Sequence, residues 1–224
     1  MKRTPQLLFI KFIAALASIA YELILAQTLS AFLSNTVLRY CVTIGLYMFF
    51  MGVGAFFVER KLERAPAATL WLTEAGLTLL GASAVPFLFA VDALHLGAWP
   101  LLIAAHVLIC LIGFLTGFEL PLALELASGR RDGRPGRNTL FAADYLGAFA
   151  GTAIFALLFY PRLGLVASAW AVSLLNALAA LVLALSWKET PGKGRIAVWA
   201  SAGLILLTLG GLWTAAVQEK FLIG

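Results

Sequence analysis

The chain has 224 residues, of which 62% are apolar and 12% charged, and its mean hydropathy is +0.96. Soluble domains carry about a quarter charged residues, so water is excluded as the main solvent, and no stretch is left over for a folded soluble domain. The formal charge of +5 does not indicate nucleic acid, because the basic residues stand in short clusters between apolar runs without aromatic interleaving.

In chain order the apolar runs cover residues 7–29, 37–58, 67–91, 99–122, 139–160, 163–187 and 196–217. Each is long enough to cross about 30 Å of hydrocarbon at about 1.5 Å per residue. Backbone groups in lipid must bond internally, and no alternating barrel pattern is present, so the runs predict an all-α, polytopic membrane bundle of about seven helices. The whole of 1–224 is expected to form one integral membrane domain.

The first run follows Met1-Lys2-Arg3 and contains Ala15-Leu16-Ala17, the outline of a signal peptide with its cleavage site. Lys11 interrupts the would-be apolar core and the run continues to Leu29, which suits a retained span better. Lys2, Arg3, Lys11, Arg60, Lys61, Arg64, Arg130, Arg131, Arg134, Arg137, Lys188, Lys193 and Arg195 all fall on one side of a seven-span arrangement. Arg39, Arg162 and Lys220 fall on the other. The excess of positive charge predicts a cytoplasmic N-terminus, an external C-terminus and a bacterial inner-membrane location.

The longest connection, 128–138, is rich in Gly and Arg and reads as a cytoplasmic loop whose charges set topology, or alternatively meet anionic headgroups. The six tryptophans, Trp71, Trp99, Trp170, Trp187, Trp199 and Trp213, mostly fall near span ends, as interfacial anchors do. Cys41 and Cys110 lie in apolar runs without metal-type spacing, and no metal or cofactor is expected.

An ionisable group in hydrocarbon costs several kcal/mol, so intramembrane acids are the candidate substrate- or proton-binding residues. Glu22 falls in the outer half of the first span, Glu74 in the inner half of the third, Glu119 in the inner third of the fourth and Asp144 in the first turns of the fifth. Glu74, Glu119 and Asp144 are at similar depth and converge if their helices are neighbours. Against this stands a purely structural role as interhelical links, with Asp144 complementing a helix N-terminus. His106 reads as a hydrogen-bonded packing residue. Gly52 and Gly54, Gly113 and Gly117, and Gly147 and Gly151 are spaced for close helix contact. Pro121 frees a carbonyl one turn earlier and predicts a kink beside Glu119.

The order of motifs carries a resemblance. Tyr21-Glu22-Leu23, the run from Gly45 to Gly54, Gly117-Phe118-Glu119-Leu120-Pro121-Leu122, Ala143-Asp144-Tyr145-Leu146-Gly147-Ala148 with Gly151, and Pro161-Arg162-Leu163-Gly164-Leu165 resemble the membrane part of bacterial membrane-bound spermidine-synthase-like proteins. In that family the resemblance implies a following soluble aminopropyltransferase domain that uses decarboxylated S-adenosylmethionine and a diamine. This chain has no glycine-rich nucleotide loop after a strand and no paired aspartates beside one, so no catalytic residue is carried over. The resulting expectation is a non-catalytic membrane module of that family, binding a small cationic or lipid-soluble substrate or docking a partner. The expected partners are the bilayer and either a soluble aminopropyltransferase-like protein or further copies of the chain. The alternative is a small secondary transporter with the intramembrane carboxylates as its cation or proton site. No internal repeat of transporter type supports it.

Overall fold

The computed structural model describes residues 4–59, 65–128, 136–186 and 193–223. The described residues are helical apart from turns: α1 Thr4–Leu33, α2 Thr36–Glu59, α3 Pro66–Ala93, α4 Ala98–Thr116, α5 Glu119–Ser128, α6 Arg137–Ile154, α7 Tyr160–Ser186 and α8 Lys193–Ile223, with one wide π turn at Phe155–Phe159. The basic clusters used for orientation fall mostly elsewhere: Lys2, Arg3, Arg60, Lys61, Arg64, Arg130, Arg131, Arg134 and Lys188 lie outside the described residues, as do Trp187 and most of the 128–138 loop.

Among the described residues six helices are long and apolar enough to cross a membrane, where the sequence predicts seven. The difference arises between the fifth and sixth apolar runs, which join into one helical stretch, Arg137–Ser186, of 50 residues. That stretch is not straight. Asp144, Gly147 and Gly151 meet Lys11, Phe12 and Leu16 of α1 in turn, so α6 runs parallel to α1. Tyr160 reaches Gln27, Ser173 then reaches back to Tyr21, and Leu183 shares a buried cluster with Leu7 and Ile10, so α7 runs antiparallel to α1. The reversal falls at Gly164, whose φ of 66° and ψ of −170° suit only glycine. Pro161 prepares it: a proline has no N–H for the Leu157 carbonyl, and the preceding amide of Tyr160 bonds Phe155 instead, opening the π turn.

The fourth predicted span is likewise broken, at Gly117–Phe118, so that Glu119 opens α5. Pro121 cannot donate to the Gly117 carbonyl, which is the expected disruption one turn before it. Gly117 also lets α4 press on α2: a Cβ there would collide with the Met51 carbonyl and lie 2.9 Å from the Ala55 amide. Gly54 against Phe114, Gly113 against Tyr47, Gly147 against Phe12 and Gly151 against Leu16 are the same kind of backbone approach. Gly52 differs. A Cβ there meets nothing within 4 Å, so its expected packing role has no partner within the described chain.

The bundle has two buried apolar clusters along its length. One gathers Tyr21, Ile24, Tyr47, Leu77, Ile109, Ile112 and Val172; the other gathers Leu7, Ile10, Leu70, Leu122, Leu140, Ala179 and Leu183. The outer surface carries many large apolar side chains: Phe49, Phe56, Leu72, Trp99, Phe149, Leu157, Trp199 and Trp213 are all exposed. Water disfavours such a surface, whereas lipid matches it.

Candidate functional site

The two apolar clusters leave a seam, and the charged residues occupy it. Along α1, Lys11 falls between Ile10 of one cluster and Ala17 of the other; along α3, Glu74 falls between Leu70 and Leu77. Glu119 falls between Ile112 and Leu122, and Asp144 between Leu140 and Phe155. Asn176 completes the layer, between Val172 and Ala179 of α7. Five helices therefore each carry a charged or amide side chain in the stretch between the two apolar clusters.

Lys11 organises this layer. Its ammonium stands 2.8 Å from Asp144 Oδ1 and donates to Glu119 Oε2 at 3.3 Å. The lysine and Glu119 side chains are 5% and 1% exposed, and Asp144, at 25%, is the most open member. Glu74 is fully buried and within electrostatic range of both Glu119 and Lys11. Both of its carboxylate oxygens, Glu119 Oε1 and both amide atoms of Asn176 have no hydrogen-bond partner. Buried polar groups are otherwise almost always paired, so this concentration of bare acceptors is the most unusual feature of the interior.

Neighbouring hydroxyls are satisfied and fix the helices around the layer. Tyr21 donates to Ser173 Oγ at 3.0 Å, joining α1 to α7, and its ring lies where any side chain at Gly81 would be. The Tyr47 hydroxyl donates to the Ser18 carbonyl at 3.1 Å and lies 2.9 Å from Thr116 Oγ1, joining α2, α1 and α4.

Of the four acids singled out in the sequence, the fold brings Glu119 and Asp144 together through Lys11 and sets Glu74 beside them. Glu22 stands apart, eleven residues beyond Lys11 on α1, or about 16 Å along the helix. Asp144 does not cap its helix: α6 begins at Arg137 with Gly136 as N-cap, and the carboxylate pairs with Lys11 instead. His106 bonds the Leu102 carbonyl at 2.6 Å, a contact within its own helix. Cys110 is half-buried, whereas Cys41 is exposed rather than packed inside. Among the described residues no group of three or more His, Cys, Asp and Glu side chains is placed to hold a metal ion.

Sequence reasoning missed Lys11 and Asn176. Lys11 had been read only as an orientation charge and as the break in a signal-peptide core. The usable signal was its depth, since a lysine well inside an apolar run needs a counter-charge on a neighbouring helix.

A helical bundle with an apolar exterior and a buried ionic layer is the class that this geometry defines. Comparison with known proteins narrows it: the chain is homologous over most of its length to polyamine aminopropyltransferases. It is 33% identical over 208 residues to polyamine aminopropyltransferase 2 of Streptomyces coelicolor, covering 88% of this chain and 37% of that protein. Polyamine aminopropyltransferase 1 of the same organism is 30% identical over 216 residues, covering 94% of this chain and 40% of that protein. The polyamine aminopropyltransferase of Leptospira interrogans is 27% identical over 193 residues, 85% of this chain and 37% of its own length. The chain thus spans about a third to two fifths of the length of the curated relatives it matches. No family model matches it, and no solved structure does.

These relatives correct the functional expectation drawn from the sequence. Proteins that match nearly the whole chain are named as aminopropyl-transferring enzymes, which points to catalysis rather than to a non-catalytic module or a small transporter.

Proposed function

We propose that the chain works in polyamine synthesis as an aminopropyltransferase of the spermidine-synthase-like kind. The similarity to the two Streptomyces coelicolor enzymes over 88 and 94% of the chain carries this reading. In the reaction that the resemblance implies, an amine nitrogen of a diamine attacks the aminopropyl carbon of decarboxylated S-adenosylmethionine. The carbon–sulfur bond breaks, a thioether leaves and the nitrogen gives up a proton. The exposed Phe49, Phe149, Trp99, Trp199 and Trp213 suit a chain that does this work at a bilayer.

The membrane reading has seven crossings, a cytoplasmic N-terminus and an inner-membrane location. The opposed directions of α6 and α7 along α1 support counting the Arg137–Ser186 stretch as two crossings. At about 1.5 Å per residue, 50 residues extend roughly 75 Å, more than twice the hydrocarbon thickness. The positive charge gathered on one side in the sequence supports the orientation.

The function is tested by introducing the gene into a bacterial strain that lacks its own aminopropyltransferase and measuring cellular spermidine. Restored spermidine supports the reading. A membrane-inserted protein that leaves spermidine absent contradicts it.

A further inference from the structure

The ionic layer has more negative than positive groups and more acceptors than donors. Glu74, Glu119 and Asp144 face one ammonium, that of Lys11. After the lysine has bonded, three carboxylate oxygens remain bare and buried: Glu74 Oε1, Glu74 Oε2 and Glu119 Oε1. A second observation, independent of the acids, points to a ligand at the same level. Asn176 is fully buried on α7 with both amide atoms unpartnered.

Helix register places Asn176 on the same side of the Tyr21–Ser173 contact as Glu74. Gly81, Tyr21 and Ser173 share one level, since the Tyr21 ring covers Gly81 and its hydroxyl bonds Ser173. Glu74 precedes Gly81 by seven residues, roughly 10 Å, and Asn176 follows Ser173 by three, roughly 4.5 Å. α3 runs parallel to α1, as the Tyr21–Gly81 and Phe32–Phe89 contacts require, and α7 runs antiparallel. Both steps therefore lead in the same direction, toward Lys11.

We propose that Glu74, Glu119 and Asn176 form a binding site for a second primary ammonium ion, beside the one that Lys11 supplies. An ammonium has three N–H donors and no acceptor, which matches three bare carboxylate oxygens, with the Asn176 carbonyl as a further acceptor. Lys11 itself exhibits the chemistry, since a primary ammonium is already seated among these carboxylates at 2.8 and 3.3 Å. A metal ion suits the layer less well, because no group of three or more ligating side chains is gathered among the described residues. Charge balance favours a cation and opposes an anion or a neutral alcohol. Asp144, the least buried member, marks the side from which an amine enters. The ligand class is a primary ammonium, whether a one-headed alkylamine or one end of a diamine. The proposal stands without the aminopropyltransferase reading.

Equilibrium binding of radiolabelled methylammonium and putrescine to the purified full chain in lipid nanodiscs tests it. Saturable, stoichiometric binding of either amine is expected, and the tighter of the two identifies the one- or two-headed source. Glu74→Gln and Asn176→Leu should each weaken it by roughly tenfold or more, while Glu22→Gln, on the same bundle but away from the layer, leaves it unchanged. Elution and melting profiles matching the parent identify the variants that count, and having two of them keeps the test open if one misfolds. Absence of saturable binding overturns the proposal. So does binding that survives both substitutions in folded protein. Aminopropyl transfer, measured separately, reports on the proposed function and not on this site.

Discussion

Lys11 of α1 and Asp144 of α6 meet at 2.8 Å across a close helix contact, where Gly147 and Gly151 bring the two backbones together. The glycines and the ion pair depend on each other. Close approach puts the carboxylate within reach of the lysine, and the pair fixes the register at which the glycines face Phe12 and Leu16.

Removing the lysine leaves three carboxylates without their cation. Lys11→Met should destabilise the protein by about 3–5 kcal/mol, the usual cost of orphaning a buried charge. Adding Asp144→Leu should recover part of that loss, because fewer unpaired charges remain buried. Melting of the single and double variants in detergent measures both effects, and equal melting of Lys11→Met and parent would contradict the structural role.

Substitution at the close-contact glycines should separate sharply by position. Gly147→Val drives a side chain into the Phe12 carbonyl and should cost about 1–3 kcal/mol or more. Gly52→Ala, with nothing within 4 Å, should be nearly neutral in the same melting measurement. Equal costs at the two positions would contradict the packing described for α1 and α6.

Gly164 should be intolerant for a different reason, backbone conformation rather than crowding. Its Cβ direction is open, but its φ of 66° with ψ of −170° is a region that other residues avoid, so Gly164→Ala should cost about 1–3 kcal/mol through strain. An unchanged melting temperature would place the reversal elsewhere.

The proposed seven crossings make a prediction about labelling. Asn35 in the α1–α2 turn, Leu96 in the α3–α4 turn and the Gly164 turn should all face the same side. Single cysteines at positions 35, 96 and 162, in a background with Cys41 and Cys110 replaced, should all react with a membrane-impermeant maleimide added to intact cells. A cysteine at Gly136, before α6, should react only after the membrane is opened. Protection of position 162 alongside labelling of 35 and 96 would contradict two crossings within Arg137–Ser186.

Much of this arrangement was legible in the sequence. The first three apolar runs gave their helices to within a few residues, because crossing length and backbone satisfaction leave few alternatives, whereas the fourth run is split at Gly117–Phe118. The acids at equal depth anticipated Glu119 and Asp144 in one layer. The reversal at Gly164 was implicit in the gap between two apolar runs, but helical residues flank it closely on both sides, so composition marks two spans where the fold forms one bent stretch. Lys11 was illegible for a more general reason. A basic residue near an N-terminus fits the orientation rule, and that sufficient explanation hid its partnership, which depends on a residue 108 positions away. Asn176 carried no pattern, since a lone amide in an apolar helix gains meaning only from what faces it.

The central claim, that the chain belongs to aminopropyl transfer, is tested most directly by isolating the protein from its native membranes with everything that remains bound to it and supplying aminopropyl-labelled decarboxylated S-adenosylmethionine with putrescine. Label appearing in spermidine, dependent on both substrates and depleted when the protein is removed by antibody, is the predicted result. Intact protein recovered in quantity with no label transferred to any amine would contradict the account.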